Sequence, residues 1–286
     1  MDFSKVGIWG AGLRFGDPVE AAESAAELEE LGFGSLWVPD GGGPIFDAVN
    51  NLLGATRTAV VATGILNLWM HEPEYVVDGY ASVTAAYPDR FLLGIGVGHA
   101  PVVDKLRDPG TYRRPIASTA AFLDELDKGH PPIPVDGRIL AALGPKMLSL
   151  AAERTGGVHP YLVTPEHTGL AREAVGPDKL VLPEQTVILC STADEARAIA
   201  TEWLRDYLEF PNYANSLLRL GFTPEDLKTL SDRLFDAMVV WGGEEKIKAR
   251  IDEHVAAGAD QVCVQVLTGK EELPREQWRR LAAALV

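Results

Sequence analysis

Eight short apolar segments that alternate with helical segments constrain the fold of this chain more than any other feature. Strands that alternate with helices pair in parallel through right-handed crossovers, and eight such units close into a barrel. We therefore predict an α/β fold, a (β/α)8 TIM barrel, in which residues 1–286 form a single domain. The apolar segments are 5–10, 35–40, 58–69, 90–100, 138–144, 158–163, 185–190 and 260–267.

A doubly wound open sheet is the alternative fold for the same alternation. Its dinucleotide-binding members carry G-x-G-x-x-G directly after the first strand. Here the first strand leads into GAGLRFG, whose glycines have a different spacing, and a helix with Asp17 at its N-cap position begins only afterwards. We interpret residues 10–16 as a loop and prefer the barrel. We also expect a loop over 99–118 and a helical insertion over 211–241, before the last strand.

The charge of the chain limits its partners. The formal net charge at pH 7 is −15, and such an acidic surface argues against binding to nucleic acid or to anionic membranes. No stretch approaches 18 consecutive apolar residues, and the N-terminus lacks the pattern of a signal peptide. We expect a cytoplasmic protein that acts on a small-molecule substrate.

The carboxyl ends of the predicted strands are where a barrel of this kind places its active site. They are rich in glycine and histidine and poor in paired carboxylates. The sequence has no G-x-S-x-G elbow, no P-loop and no H-x-H after the first strand, so a metal-dependent hydrolase is disfavoured and no metal ligands are predicted. The pattern predicts a glycine-lined mouth that suits a flat cofactor. These ends are 10–12, Asp40, 64–70, 96–99, Gly144 and 159–161.

Several of these segments together resemble the luciferase-like monooxygenase superfamily, and within it the actinobacterial branch that uses the deazaflavin coenzyme F420. They are SLWVPD, TGILNLW, RFLLGIGVGHAP, LAALGPKMLSLAAERTGGVHPYLVTPEH and the GAD before the last strand. The resemblance implies a bacterial-luciferase-like barrel, a homodimer, and hydride transfer between the coenzyme and an organic substrate. Two alternatives stay open, an FMN-dependent monooxygenase that uses reduced flavin and oxygen, and a non-catalytic flavin-binding barrel.

The resemblance also implies how the third strand meets the coenzyme. In deazaflavin members a non-prolyl cis peptide in this strand backs the central ring, and the matching bond joins Gly64 to Ile65. We expect Ile65 under the ring and Asn67 at a polar atom of the ring or its ribityl chain, with a plain strand bulge as the alternative. Asp40 matches a position that faces the reactive edge, although it could instead cap the turn that follows it.

Further residues carry over one at a time. His99 is predicted to contact the substrate or the pyrimidine edge, and with Asp40 it completes the predicted catalytic set, although a structural loop histidine is the alternative. Sugar-phosphate dehydrogenases of the superfamily place a glutamate where His99 stands and a histidine where Gly41 stands, so their reaction is not expected. The remaining predicted cofactor contacts are Val97 and Gly98 beside the ring and side chain, Gly144, Pro145 and Lys146 at the phosphate, and His159, with Tyr161 comparable to it.

Overall fold

Parallel strands form the frame of the computed structural model, which describes residues 3–270 and 272–286. Within these residues all the strand pairs are parallel. The strands are β1 Val6–Trp9, β2 Ser35–Val38, β3 Val60–Thr63, β4 Leu66–Asn67, β5 Phe91–Gly96, β6 Arg138–Leu140, β7 Gly157–Val158, β8 Leu180–Val181, β9 Glu184–Leu189, β10 Val239–Gly242 and β11 Val262–Val266.

The sheet curls until its two ends meet. The strand order is β10-β9-β11-β1-β2-β3-β5-β6-β7-β8, and β4 also pairs with β5. Two residues separate β8 from β9, and there the amide of Leu182 donates to Val158 O at 2.9 Å while the amide of Cys263 donates to Pro183 O at 2.8 Å. The segment that joins β8 to β9 thus bonds to β7 on one side and to β11 on the other, which closes the sheet and confirms the predicted TIM-barrel fold.

Helices cover the outside of the sheet. Helix α2 shows how local sequence sets their bounds, because the Asp17 carboxylate accepts from the amides of Val19 and Glu20, and Pro18 occupies the first helical position. The helices are α1 Gly12–Phe15, α2 Pro18–Glu30, α3 Ile45–Ala55, α4 Pro73–Ala86, α5 Ala100–Leu106, α6 Pro115–Lys128, α7 Pro145–Arg154, α8 Pro165–Val175, α9 Ala193–Leu208, α10 Pro211–Arg219, α11 Pro224–Thr229, α12 Asp232–Met238, α13 Glu244–Ala256 and α14 Arg275–Leu285.

Several segments differ from the prediction. The predicted loop over 10–16 contains α1, which buries Leu13, and the predicted strand over 158–163 is reduced to the two residues of β7. The predicted loop over 99–118 contains α5, which Val103 anchors because its side chain is fully buried. The predicted third strand is divided into β3 and β4. The insertion predicted as helical over 211–241 ends in β10, which pairs with the second half of β9. The two-residue β7 is too short to pair with the second half of β9. The backbone groups of that half of β9 therefore need another partner, which β10 supplies.

The inside of the barrel is filled by side chains. Eight residues from the strands and their ends form a buried cluster there, and one of them, Trp37, donates from Nε1 to Ser35 Oγ at 2.8 Å. A packed interior of this kind directs ligands to the ends of the barrel. None of the described helices is long and apolar enough to cross a membrane. The cluster comprises Trp9, Trp37, Val60, Ala62, Leu92, Ile139, Leu182 and Cys263.

Candidate functional site

A cavity of about 630 Å³ opens at the carboxyl ends of the strands. This volume lies within the range of cofactor and small-molecule sites. All the residues that the sequence predicts for the site line this cavity, so the structure brings them together, while their individual roles stay predictions. They are Asp40, Gly64, Ile65, Asn67, Val97, Gly98, His99, Gly144, Pro145, Lys146 and His159.

The floor of the cavity is the segment between β3 and β4. The peptide bond between Gly64 and Ile65 is cis, as predicted. Gly64 is held on both sides, because its amide donates to Val38 O at 2.7 Å and its carbonyl accepts from Trp9 Nε1 at 3.0 Å. Ile65 packs over Gly96, where an added Cβ would lie 2.7 Å from the isoleucine side chain. The floor therefore depends on a bare backbone at Gly96.

Asp40 joins three chain segments at the edge of this floor. Its carboxylate accepts from the amide of Gly42 at 2.7 Å, the amide of Asn67 at 2.9 Å and His71 Nε2 at 2.8 Å. The side chain has no exposed surface. With both oxygens engaged and covered, the geometry favours a structural role for Asp40 over the predicted catalytic one. The Asn67 side chain is also engaged within the protein, since its Oδ1 accepts from the amide of Trp69 at 3.1 Å.

His99 is held by α10 from the far side of the cavity. Its ring stacks on Phe210 with centroids 4.0 Å apart and planes 3° apart, and its Nδ1 lies 3.2 Å from Asn212 Oδ1. Burial lowers the pKa of His99 below its usual value, although the hydrogen bond to Asn212 opposes this. A neutral ring that donates from Nδ1 keeps Nε2 as an acceptor, which suits the predicted contact with a ligand.

His159 lies beneath the floor. Its side chain is 1% exposed, its ring stacks on Trp37 at 4.4 Å, and Nδ1 donates to Leu182 O at 2.6 Å. Burial lowers the pKa of His159 to about 4, so the ring is neutral at pH 7. Its Nε2 is buried without a hydrogen-bond partner among the described residues, and an added Cβ on Gly64 would lie 3.2 Å from it. The ring supports the floor, and its contact with the cofactor stays a prediction.

An aromatic wall closes one side of the cavity. Centroid distances are 5.4 Å for Trp9 and Tyr161, 5.3 Å for Tyr161 and Tyr207, and 5.4 Å for Tyr207 and Tyr213. The Tyr161 hydroxyl donates to Gln265 Oε1 at 2.7 Å. Burial raises the pKa of Tyr161 and of Tyr213 well above the usual value, so both phenols stay neutral. The wall offers flat, uncharged surface to a ligand.

Sequence reasoning missed the contribution of α9 and α10. Helix α9 precedes the predicted insertion and α10 lies within it. Five of their residues line the cavity: Tyr207, Asn212, Tyr213, Asn215 and Arg219. The polar positions 212, 215 and 219 have the spacing of one helical face, and this signal was available in the sequence. Across 3–270 and 272–286, no group of three His, Cys, Asp or Glu side chains could together hold a metal ion.

Residues 3–128 match the family described as luciferase-like monooxygenase, which confirms the superfamily resemblance. A curated relative, the 5,10-methylenetetrahydromethanopterin reductase of Archaeoglobus fulgidus, is 24% identical over 290 residues, covering 82% of this chain and 85% of the relative. The coenzyme F420 dependent tetrahydromethanopterin reductase from Methanopyrus kandleri has a similar structure, with a TM-score of 0.78, 17% identity, and coverage of 100% of this chain and 99% of that chain. The oxygenating constituent of 3,6-diketocamphane monooxygenase from Pseudomonas putida, solved with FMN, has a TM-score of 0.69 and 15% identity, and covers 98% and 97%.

Proposed function

We propose that this chain, whose residues 3–128 match the luciferase-like monooxygenase family, is a coenzyme F420-dependent oxidoreductase that acts on an uncharged organic substrate. The observation that carries the proposal is the composition of the cavity wall. The wall is largely apolar and aromatic, its one carboxylate is engaged by three donors, and its two histidines are held by neighbouring groups. Such a wall positions a reactive cofactor and leaves the chemistry to it.

The cavity fits a deazaflavin in three respects. Its volume of about 630 Å³ accommodates a tricyclic ring with a side chain. Ile65 in the floor and the Tyr161 ring in the wall supply contact surfaces for the ring, and Val97 and Gly98 also line the cavity. Lys146, in the first turn of α7, supplies a positive charge where a phosphate suits a helix N-terminus. We propose these residues as the holders of the ring, the side chain and the phosphate.

The coenzyme supplies hydride transfer at C5 of its ring, and it reacts poorly with oxygen. The chain contributes position and exclusion of water. The aromatic wall desolvates the space above the floor, and the neutral His99 holds an acceptor nitrogen toward a hydroxyl or N–H of the ligand. An uncharged substrate is favoured because the described wall at this end of the cavity carries neutral phenols and a neutral imidazole.

The FMN-dependent monooxygenase is retained as the second candidate, because the same cavity would accept a flavin and one structural relative was solved with FMN. The description of the Methanopyrus kandleri relative as coenzyme F420 dependent supports the deazaflavin. The non-catalytic barrel and the homodimer both stay predictions. Light scattering of the purified protein tests the dimer.

Anaerobic turnover tests the proposed reaction. Reduced F420 and the protein are mixed with a panel of ketones and electron-poor alkenes, and the reappearance of oxidised coenzyme is followed by absorbance. We expect protein-dependent oxidation with at least one acceptor and no need for oxygen. Oxygen consumption with reduced FMN, together with no turnover of reduced F420, would contradict the proposal and favour the monooxygenase.

A further inference from the structure

The first turn of α10 and the residue before it hold the ring of His99 at the cavity. Phe210 stacks on this ring with centroids 4.0 Å apart, and the ring of Tyr213 lies 5.3 Å away. Asn212 Oδ1 lies 3.2 Å from His99 Nδ1. His99, Asn212 and Tyr213 all line the cavity. The stacking sets the plane of the imidazole, and the contact with Asn212 sets which of its nitrogens points to α10.

The second nitrogen of His99 is accessible, unlike those of two other histidines near the cavity. His159 Nε2 and His167 Nδ1 are buried without a hydrogen-bond partner. His99 Nε2 also lacks a partner among the described residues, but it is not buried. Of the two histidines that line the cavity in the described part of the chain, His99 and His159, only His99 therefore offers a ligand an unpartnered nitrogen that it can reach.

The tendency of His99 to accept a proton is set by burial and by Asn212. Burial lowers the pKa of His99, so the ring is neutral at pH 7, and the hydrogen bond with Asn212 raises this pKa. When Nε2 takes up a proton, the bond from Nδ1–H to Asn212 Oδ1 becomes charge-assisted and therefore stronger. Asn212 thus stabilises the imidazolium relative to the neutral ring.

Other titratable groups around His99 do not contribute to its pKa. The phenol of Tyr213 stays neutral, because burial raises its pKa well above the usual value. Three charged side chains line the same cavity, and none of them shifts the pKa of His99. They are Asp40, Lys146 and Arg219. Among the described residues, Asn212 is therefore the side chain through which the protein adjusts this imidazole.

We propose that Asn212 is a positioning residue of the site, which holds His99 so that its Nε2 exchanges a proton with the oxygen of an alcohol or, in reverse, of the carbonyl product. This rests on the proposed function, because the coenzyme supplies the hydride acceptor. In the oxidative direction the O–H bond breaks and its proton moves to Nε2, while the C–H bond breaks and its hydride moves to C5 of the oxidised coenzyme. The electron pair of the O–H bond forms the second bond of the carbonyl group, and the coenzyme is reduced by two electrons.

The substrate class follows from the atom that carries the proton. Oxidation of an alcohol releases a proton from oxygen, and a neutral imidazole accepts it at hydrogen-bond distance. Reduction of an electron-poor alkene adds its proton at carbon, which needs no acceptor beside a substrate oxygen. The carboxylate of Asp40 has no exposed surface, and the phenols of Tyr161 and Tyr213 stay protonated. His99 is thus the neutral base that the described wall offers to a hydroxyl group.

NMR and kinetics on three variants test the role of Asn212. The variants are Asn212→Ala, Asn212→Asp and the control Asn215→Ala, which changes a residue of the same cavity wall that makes no hydrogen bond to His99. NMR titration of the coenzyme-free proteins measures the pKa of His99, whose signal is identified by its loss in His99→Gln. Anaerobic assays with oxidised F420 measure the pH dependence of the oxidation of isopropanol, cyclohexanol and benzyl alcohol. Thermal unfolding confirms that each variant is folded.

We expect Asn212→Ala to lower the pKa of His99 and Asn212→Asp to raise it, because the first removes the acceptor and the second places a carboxylate there. A base that acts in its neutral form loses activity below its pKa, so the acid limb of kcat/KM should move to lower pH in Asn212→Ala and to higher pH in Asn212→Asp. Asn212→Ala should also lower kcat about tenfold to a hundredfold, as for the loss of a hydrogen bond to a charged group, whereas Asn212→Asp keeps most of it. Asn215→Ala leaves the pKa of His99 and the acid limb unchanged.

Three results would overturn the inference. One is an acid limb that moves in neither Asn212 variant, and another is an equal effect of Asn212→Ala and Asn215→Ala on that limb. The third is F420-dependent turnover of electron-poor alkenes with no turnover of the three alcohols or of their carbonyl products, which would leave the proposed function standing. Absence of F420 binding and of turnover with every probe would contradict the proposed function and the inference together.

Discussion

Replacing Asp40 by asparagine tests whether this residue supports the site or performs its chemistry. Asp40 Oδ2 accepts from the amide of Asn67 and from His71, and Oδ1 accepts from the amide of Gly42. The asparagine oxygen can replace Oδ2, but its amide group meets the Gly42 amide as a second donor. One buried bond is lost and two lose the help of a charge, at about 1.5 to 3 kcal/mol for a hydrogen bond to a charged group.

We therefore expect Asp40→Asn to lower the free energy of unfolding by about 3 kcal/mol, a large share of the 5 to 15 kcal/mol typical of a folded chain. Urea unfolding measures the change. Asp78→Asn is the control, because Asp78 is exposed on α4 and its side chain makes no hydrogen bond within the described residues, so its effect is expected within about 0.5 kcal/mol. An Asp40→Asn protein of unchanged stability that has lost turnover would refute the structural role and place Asp40 in the reaction.

Three further variants follow from the geometry. Burial raises the pKa of Glu184 to about 7. The protonated carboxyl therefore stabilises the fold at low pH, and this contribution is lost as the pH rises from the unfolded pKa toward 7. Glu184→Gln should gain about 3 kcal/mol of stability relative to wild type from pH 4.5 to pH 7.5, measured by urea unfolding. Gly96→Ala places a Cβ 2.7 Å from the Ile65 side chain, so it should push the floor into the cavity and weaken coenzyme binding about tenfold, at a stability cost of about 1 to 3 kcal/mol. Asn212→Ala removes the group that raises the pKa of His99, so an NMR titration should show that pKa lowered further.

Each of these variants has a contrary outcome. Glu184→Gln and wild type with parallel stability curves would show that Glu184 ionises freely in the fold. Gly243→Ala is the control for the floor, because an added Cβ there meets nothing within 4 Å, and equal coenzyme affinity in both alanine variants would contradict the packing argument. An unchanged titration of His99 in Asn212→Ala would mean that the 3.2 Å contact does not persist in solution.

The barrel and the location of the site could be predicted because both depend on local patterns. Eight apolar segments fix the number of barrel strands, and the glycine-rich ends of the strands mark the mouth. Gly64 marked the place where the third strand is interrupted, since a glycine inside a strand marks a bulge or a close approach, although the separate strand β4 was not predicted. There the approach is made by the Trp9 indole, which donates to Gly64 O.

The roles of individual side chains could not be predicted in the same way, because they depend on contacts between distant segments. The contact of Asp40 with His71 joins residues 31 positions apart, and that of His99 with Asn212 joins residues 113 apart. Strand β10 could not be anticipated either, since it pairs with β9, more than 50 residues earlier in the chain.

The measurement that tests the central claim most directly is a paired titration of the cofactor-free protein with F420 and with FMN, followed by fluorescence quenching. The account predicts saturable binding of F420 that is at least about tenfold tighter than that of FMN, a difference of about 1.4 kcal/mol. Tighter binding of FMN, or no binding of either cofactor, would contradict it.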